Sequence, residues 1–129
     1  MPEFIFTTRV PYAHVDKMNH VYYANYLVYF EMARSALLRE AGLPYRDLEK
    51  DGIMLPVIET HCRYRQPAHY DDLITVVSTP AFQRSRLRID YRISRDQLTL
   101  AEGYTVHVCM TPEGKVVRPP EPLAGLFKP

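Results

Sequence analysis

Between residues 16 and 26 the chain reads Asp-Lys-Met-Asn-His-Val-Tyr-Tyr-Ala-Asn-Tyr, which puts a carboxylate, an imidazole, side-chain amides and three phenols into eleven residues. A helical apolar pattern begins within this stretch, so the polar cluster stands at the entrance to a helix. The first N–H groups of a helix have no intrahelical partners and the macrodipole is positive there, so an oxygen placed at such a start is polarised. A carboxylate facing that start, Asp16 here, has the means to attack a carbonyl or to activate a water against one. The structural alternative for Asp16 is a cap on the loop or helix, which is what Asp usually does in such a position. His20 suits a base, a water-orienting group or a buried hydrogen-bonded support, because histidine titrates near neutrality. Asn19 suits a loop-fixing role, and Asn25 a structural one. His14 with Asp16 lacks the ligand spacing of a metal site, so no metal is expected.

These residues need a frame. Residues 3–10 are rich in β-formers and end at Pro11, which predicts a first strand. From Tyr22 to Ala41 the apolar residues Tyr23, Leu27, Phe30, Ala33, Leu37, Leu38 and Ala41 recur at three- and four-residue steps, one face of a long helix stopped by Gly42 and Pro44. A short second helix is predicted over Tyr45 to Lys50. Residues 55–65 switch to period two, with Ile58, Thr60, Cys62 and Tyr64 on one face. Leu73 to Thr79 reads as a strand stopped by Pro80. Residues 86–94 alternate strictly, with Leu87, Ile89, Tyr91 and Ile93 against Arg86, Arg88, Asp90 and Arg92, a strand with one buried face. Leu98 to Met110 reads as the last long strand, with small Ala101, Gly103 and Thr105 letting a helix lie close. The tail 118–129, with four prolines, is predicted to be extended and packed on the surface, or frayed. The order is α+β, an antiparallel sheet around one long central helix in a single domain, residues 1–129.

Composition narrows the function classes. A chain of 129 residues can bury a core without staples. Its two cysteines and the lack of a signal-like N-terminus point to a reducing compartment, so the cytoplasm is expected. No apolar run approaches the roughly 20 residues needed to span a bilayer, so no membrane insertion is expected. A formal charge of +1 gives no basis for nucleic-acid binding. The ten tyrosines suit half-wet clefts and interfaces.

The pattern Tyr12-x-x-x-Asp16-x-x-Asn-His20-Val-Tyr-x-Ala-Asn-Tyr26-x-x-Tyr-Phe-Glu31, ahead of a single long helix, resembles the hotdog-fold acyl-CoA thioesterases. It is most similar to the hydroxybenzoyl-CoA thioesterase family and its Tol-Pal-associated bacterial branch. Arg65-Gln-Pro67-Ala68, Asp72-Leu-Ile-Thr-Val and Thr111-Pro-Glu-Gly-Lys-Val-Val-Arg-Pro119 resemble later landmarks of that family, in order. Asn19 stands where many relatives have glycine, and Tyr23 where the Tol-Pal-associated branch has histidine.

The resemblance implies hydrolysis of short or medium aliphatic, or aromatic, acyl-CoA thioesters. Coenzyme A leaves readily as a thiolate, so no strong general acid is required, and no cofactor is expected beyond the coenzyme A carried by the substrate. Asp16 would be nucleophile or general base, and backbone N–H groups near Tyr22, Tyr23 and Ala24, above all at Tyr23, would hold the developing oxyanion. Tyr22 and the helical stripe Tyr23, Tyr26, Tyr29 and Phe30 would line the acyl site, with core packing the alternative for the stripe and the preferred reading for Phe30. Arg84 foremost, with Arg86 and Arg88, would meet the nucleotide phosphates, with a solvated face as the plainer reading. Hotdog subunits pair with active sites between them, so a homo-oligomer, dimer or homotetramer, is expected. Two other functions remain open on the sequence: an acyl-CoA-binding scaffold without turnover, and a hotdog hydratase or dehydratase.

Overall fold

The computed structural model describes residues 2–121 and 123–128. Strand β1 (Phe4–Arg9) leads through a 3-10 turn (Tyr12–His14) and a loop into α1 (Asn25–Glu40) and the short α2 (Tyr45–Lys50). Then come β2 (Val57–Tyr64), β3 (Leu73–Gln83), β4 (Arg86–Arg95) and β5 (Leu98–His107). Two short strands, β6 (Cys109–Met110) and β7 (Val116–Val117), and a final turn of helix, α3 (Leu123–Leu126), close the chain. The five long strands form one antiparallel sheet in the order β1-β3-β4-β5-β2. With α1 laid on one face, this is the expected hotdog fold.

Local chemistry explains the joins. Asp96 and Gln97 both take positive φ between β4 and β5, the turn geometry that matches the twist of paired strands. The inward residues Leu87, Ile89, Tyr91 and Ile93 of β4 are buried, as their alternation predicts. They pack with Tyr26, Tyr29, Phe30, Ala33, Leu37 and Leu38 of α1, and the Phe30 ring stacks on Tyr91 at 4.3 Å between centroids.

Several expectations are corrected. Strand β3 runs through Pro80, because pairing with β1 ends at Ser78 and the later part has β4 alone on one side. The Phe82 N–H points away from β4 to the Phe127 carbonyl, so Pro80, two residues earlier, turns its hydrogen-free nitrogen to the same unladdered side. Helix α1 starts at Asn25 rather than Tyr22, and Tyr23 and Leu27 are exposed, because the helix sits nearest β1 and β3 and leaves its other flank open. Of the small residues of β5, Ala101 and Thr105 are buried in the core. Gly103 is required by β2, since a Cβ there would meet the His61 carbonyl oxygen at 2.0 Å. The last strand stops at His107, and Cys109–Met110 pairs separately with β7. The tail is neither extended nor frayed over its described part: α3 buries Leu123, and Phe127 follows it into the core.

A file of polar groups crosses the core beneath α1. The His107 Nδ1 lies 2.9 Å from the Leu55 carbonyl oxygen, so it carries the proton and donates. Its Nε2 then accepts from the Thr105 hydroxyl at 2.9 Å, and Thr105 Oγ1 accepts from the Tyr91 hydroxyl at 2.8 Å. Arg34 Nη1 donates to Tyr91 at 3.4 Å and completes the file. Burial foremost pushes the His107 pKa down to about 4, against the opposing Leu55 carbonyl and with help from Arg34.

That depression has a definite sign. Between pH 6.5 and about 4 the unfolded chain takes up a proton at His107 that the folded chain refuses. Stability is therefore complete above pH 6.5 and falls as the pH drops towards 4, by up to about 3 kcal/mol from this group. Urea unfolding midpoints across that range should slope downward on acidification in the wild type, and less steeply in His107→Gln. Parallel slopes would remove His107 from the account.

Candidate active site at the start of the central helix

The loop from Pro11 to Val21 is a miniature hairpin closed by its own backbone. The Asp16 N–H donates to the His20 carbonyl at 2.8 Å, the Asn19 N–H to the Asp16 carbonyl at 3.0 Å, and Val15 bridges Val21. The sheet side anchors it through the Val21 N–H to the Ala68 carbonyl at 2.9 Å. Asn19 takes φ 60°, in the left-handed region that glycine adopts most readily, and its Oδ1 accepts the Tyr70 N–H at 3.1 Å. Asparagine is among the few side chains that tolerate this conformation.

Asp16 divides its two oxygens. Oδ1 accepts the N–H groups of Met18 at 2.9 Å and His20 at 3.1 Å, which is the loop-capping role. Oδ2 accepts no hydrogen bond among the described residues. Half-buried, the carboxylate reaches a cleft of about 390 Å³ lined by Asp16, His20, Tyr22, Tyr23, Tyr26 and Tyr64, with Arg65, Gln66 and Pro67 at its edge.

Across this cleft α1 begins without a side-chain cap at Ala24 and without an acidic residue in its first turn. The Tyr22 N–H is already committed to the His14 carbonyl at 2.9 Å, which removes it from the three expected oxyanion donors. The N–H groups of Tyr23 and Ala24 find no acceptor among the described residues. Leaving such a helix start uncapped costs roughly 1 kcal/mol, and it leaves the positive end of the dipole available to a ligand.

The aromatic wall is firmly held. Tyr26 is buried, and its hydroxyl oxygen accepts the Ala68 N–H at 3.1 Å. Burial foremost raises its pKa, so it stays a neutral phenol. Tyr22 and Tyr23 are exposed, with ring centroids 4.6 Å apart. His20 is half-buried, and its ring meets that of His69 edge-on at 5.4 Å. Asp72 braces His69: its Oδ2 accepts the His69 N–H at 2.8 Å and Arg95 Nη1 at 2.5 Å. Burial works to raise the Asp72 pKa, but these bonds and the nearby positive charge outweigh it and hold the carboxyl below the usual range.

Of the residues singled out by sequence, Asp16, His20, Tyr22, Tyr23 and Tyr26 share this cleft, and Asn19 shapes the loop behind it. Arg84 and Arg86 do not join them within one subunit. Arg84 forms the tip of the β3–β4 turn, while the cleft lies at the other end of the sheet, where Tyr64 pairs with Ala101 and Ala101 with Ile93. From Arg86 to Ile93 along β4 is about 23 Å at the usual strand rise. Sequence reasoning missed Tyr64 as a wall of the site. Its hydroxyl donates to the Tyr23 carbonyl at 3.0 Å, which holds the Tyr23–Ala24 peptide and with it the Ala24 N–H. The signal was its inward phase at the end of β2, next to the Arg65-Gln-Pro67 landmark. Among the described residues no group of three or more His, Cys, Asp or Glu side chains is placed to hold a metal. No described helix is long and apolar enough to cross a membrane.

A sheet folded about one helix, with a carboxylate loop facing that helix's uncapped start, defines a hotdog thioester hydrolase. The chain belongs to the Thioesterase-like superfamily, whose sequence pattern matches residues 10–127. It is 28% identical over 111 residues to the acyl-CoA thioester hydrolase YbgC of Escherichia coli O157:H7, covering 84% of this chain and 83% of that one. A protein of Thermus thermophilus has a crystal structure that superposes with a TM-score of 0.91 at 34% identity, over 96% of both chains. The 1,4-dihydroxy-2-naphthoyl-CoA thioesterase of Synechocystis superposes at 0.89 with 27% identity, covering 98% of this chain and 96% of that one.

The geometry at Asn19 makes a prediction about the loop. Asn19→Gly should keep the positive φ and remain close to wild type in thermal unfolding and thiol release. Asn19→Val should lose about 1–2 kcal/mol to backbone strain and lower activity with it. A valine variant that unfolds with the wild type would show that the loop does not depend on this conformation.

Proposed function

We propose that this chain hydrolyses short or medium aliphatic, or aromatic, acyl-CoA thioesters to the acid and coenzyme A, with Asp16 as the reacting group. The observation that carries the reading is the division of labour at Asp16. One oxygen is spent on the Met18 and His20 N–H groups, the other accepts no hydrogen bond among the described residues, and the residue lines a cleft at an uncapped helix start. A thioester carbonyl laid against the Tyr23 N–H, with Ala24 beside it, would have its developing charge stabilised there, an effect worth about 3 kcal/mol per donor. Oδ2 would then attack the carbonyl carbon to give a mixed anhydride, or take a proton from a water that attacks it. In either route the C–S bond breaks and the thiolate leaves with coenzyme A.

His20 and Asn19 keep the loop in shape, with His20 close enough to the cleft to order a water. Tyr22, Tyr23 and Tyr26 give the acyl group an aromatic wall, which suits an aromatic acyl group of the kind handled by the hydroxybenzoyl-CoA branch. No cofactor is needed, and the reading places the enzyme in the cytoplasm, as one domain over residues 1–129.

The assembly follows from an edge. None of the eight residues of β2 is buried, and β2 pairs on one side only, with β5. A second copy docking its own β2 antiparallel to this one would cover Val57 and Ile58 and extend the sheet. That two-fold sets the Val57 end of one strand beside the Tyr64 end of the other. It carries Arg84 and Arg86 of the partner subunit towards this subunit's cleft, where they could meet the nucleotide phosphates. A dimer is the minimum unit, and pairs of dimers would make the tetramer.

Asp16→Asn tests the chemistry cleanly, because the amide oxygen can still accept the Met18 and His20 N–H groups. The variant should unfold with the wild type yet lose at least a thousandfold in kcat/KM on a panel of acyl-CoAs, roughly the cost of deleting a reacting group. Asp16→Ala should lose activity and stability together. Full thiol release by Asp16→Asn would end this mechanism.

A further inference from the structure

A second cavity, of about 200 Å³, lies at the far end of α1 from Asp16, lined by Glu31, Arg34, Ser35, Leu38, Tyr45 and Leu55. Arg34 is the feature that needs an explanation. The residue is partly buried, its one hydrogen bond is the long contact to the Tyr91 hydroxyl, and no carboxylate lies within ion-pair distance among the described residues. A partly buried cation with four donor hydrogens unspent is a standing attraction for an anion. Tyr45 adds a donor: its oxygen accepts the Leu55 N–H at 3.3 Å, so its own proton is free to point at a ligand. The floor is fixed, because the Leu55 peptide is held on both sides, by Tyr45 and by His107. Leu38 and Leu55 make the rest of the wall apolar. Glu31 stands on the exposed rim one turn before Arg34 and opposes an anion from there.

We propose that this cavity is a carboxylate subsite, in which Arg34 and Tyr45 take the far carboxylate of an acyl-CoA whose acyl group derives from a dicarboxylic acid. The guanidinium fork fits two carboxylate oxygens, which a neutral acyl terminus would leave unmatched. The inference rests on the thioesterase reading and on the β2 pairing above. That pairing turns the Leu55 end of one subunit towards the Tyr64 end, and so the cleft, of the other. The acyl chain would thus start at Asp16 of one copy and end at Arg34 of its neighbour.

The test compares full-length wild type, Arg34→Met and Arg34→Lys on two matched series: succinyl-, adipyl-, suberyl- and sebacyl-CoA against butyryl-, hexanoyl-, octanoyl- and decanoyl-CoA. The readout is the ratio of kcat/KM between partners of equal length, so a general loss of folding cancels. At the best length Arg34→Met should lower that ratio by roughly tenfold or more, the worth of a charge-assisted hydrogen bond, with Arg34→Lys in between. Glu31→Gln should raise it. A ratio unchanged in Arg34→Met at every length, or lowered by Glu31→Gln, overturns the proposal. Binding of free suberate, measured by calorimetry on the same proteins, separates this idea from the hydrolytic one. If no thioester is turned over but suberate binds and Arg34→Met abolishes it, the subsite stands and the thioesterase reading falls. If thioesters are turned over with an Arg34-independent ratio, the reverse holds. An Arg34-dependent ratio without free suberate binding assigns the carboxylate to the substrate alone.

Discussion

The two hydrogen bonds from the Met18 and His20 N–H groups to one oxygen of Asp16 set the geometry on which the site depends. They close the loop on itself and leave the second oxygen of the same carboxylate without a hydrogen-bond partner among the described residues. The opposite side of the cleft is just as constrained. The Tyr23 peptide is gripped at its carbonyl by the Tyr64 hydroxyl, while the N–H groups of Tyr23 and Ala24 stay uncommitted. In the proposed reaction, a charge and donors already held in place would need little rearrangement when a carbonyl arrives, and such electrostatic preorganisation is usually the largest single contribution to an enzyme's rate. The thermodynamic cost is a helix start left uncapped, which the burial of Tyr26, Tyr29 and Phe30 just beyond it readily offsets.

The rest of the fold supplies rigidity to that loop. Asp72 and Arg95 brace His69 against His20 from the strand side, and Ala68 accepts a bond from the loop at its carbonyl while its N–H donates to the Tyr26 hydroxyl. Beneath α1 the file from Arg34 through Tyr91, Thr105 and His107 to Leu55 runs in one donor direction. Each proton in it has one place to go, so the segment leading into β2 is tied to the core, and β2 itself is left as an open edge.

Much of this was legible beforehand, for identifiable reasons. Strand β4 is paired on both sides, with α1 over one face, so its strict alternation maps directly onto burial. Alternation in β2 did not, because an edge strand paired on one side only buries neither face in a single subunit. The helical repeat found α1 but included Tyr23 and Leu27, which periodicity cannot distinguish from core when one flank is left for a ligand or partner. Pro80 looked like a stop because a proline is tolerated in a strand only where one ladder is missing, and sheet order is a tertiary fact. Arg84 and Arg86 were grouped with Asp16 by resemblance, yet one subunit keeps them at opposite ends of the sheet. At Asn19 the sequence named the position that departs from the family, and the structure gave the reason it works, a positive φ that asparagine tolerates.

The most direct test is a crystal structure of the Asp16→Asn protein with an intact acyl-CoA thioester in the cleft. The account predicts the thioester carbonyl oxygen about 3 Å from the Tyr23 N–H, with the unbonded side-chain atom of residue 16 facing the carbonyl carbon at about 3.5 Å or with one water between them. A thioester bound with its carbonyl turned away from the start of α1, or with residue 16 remote from it, would contradict the account.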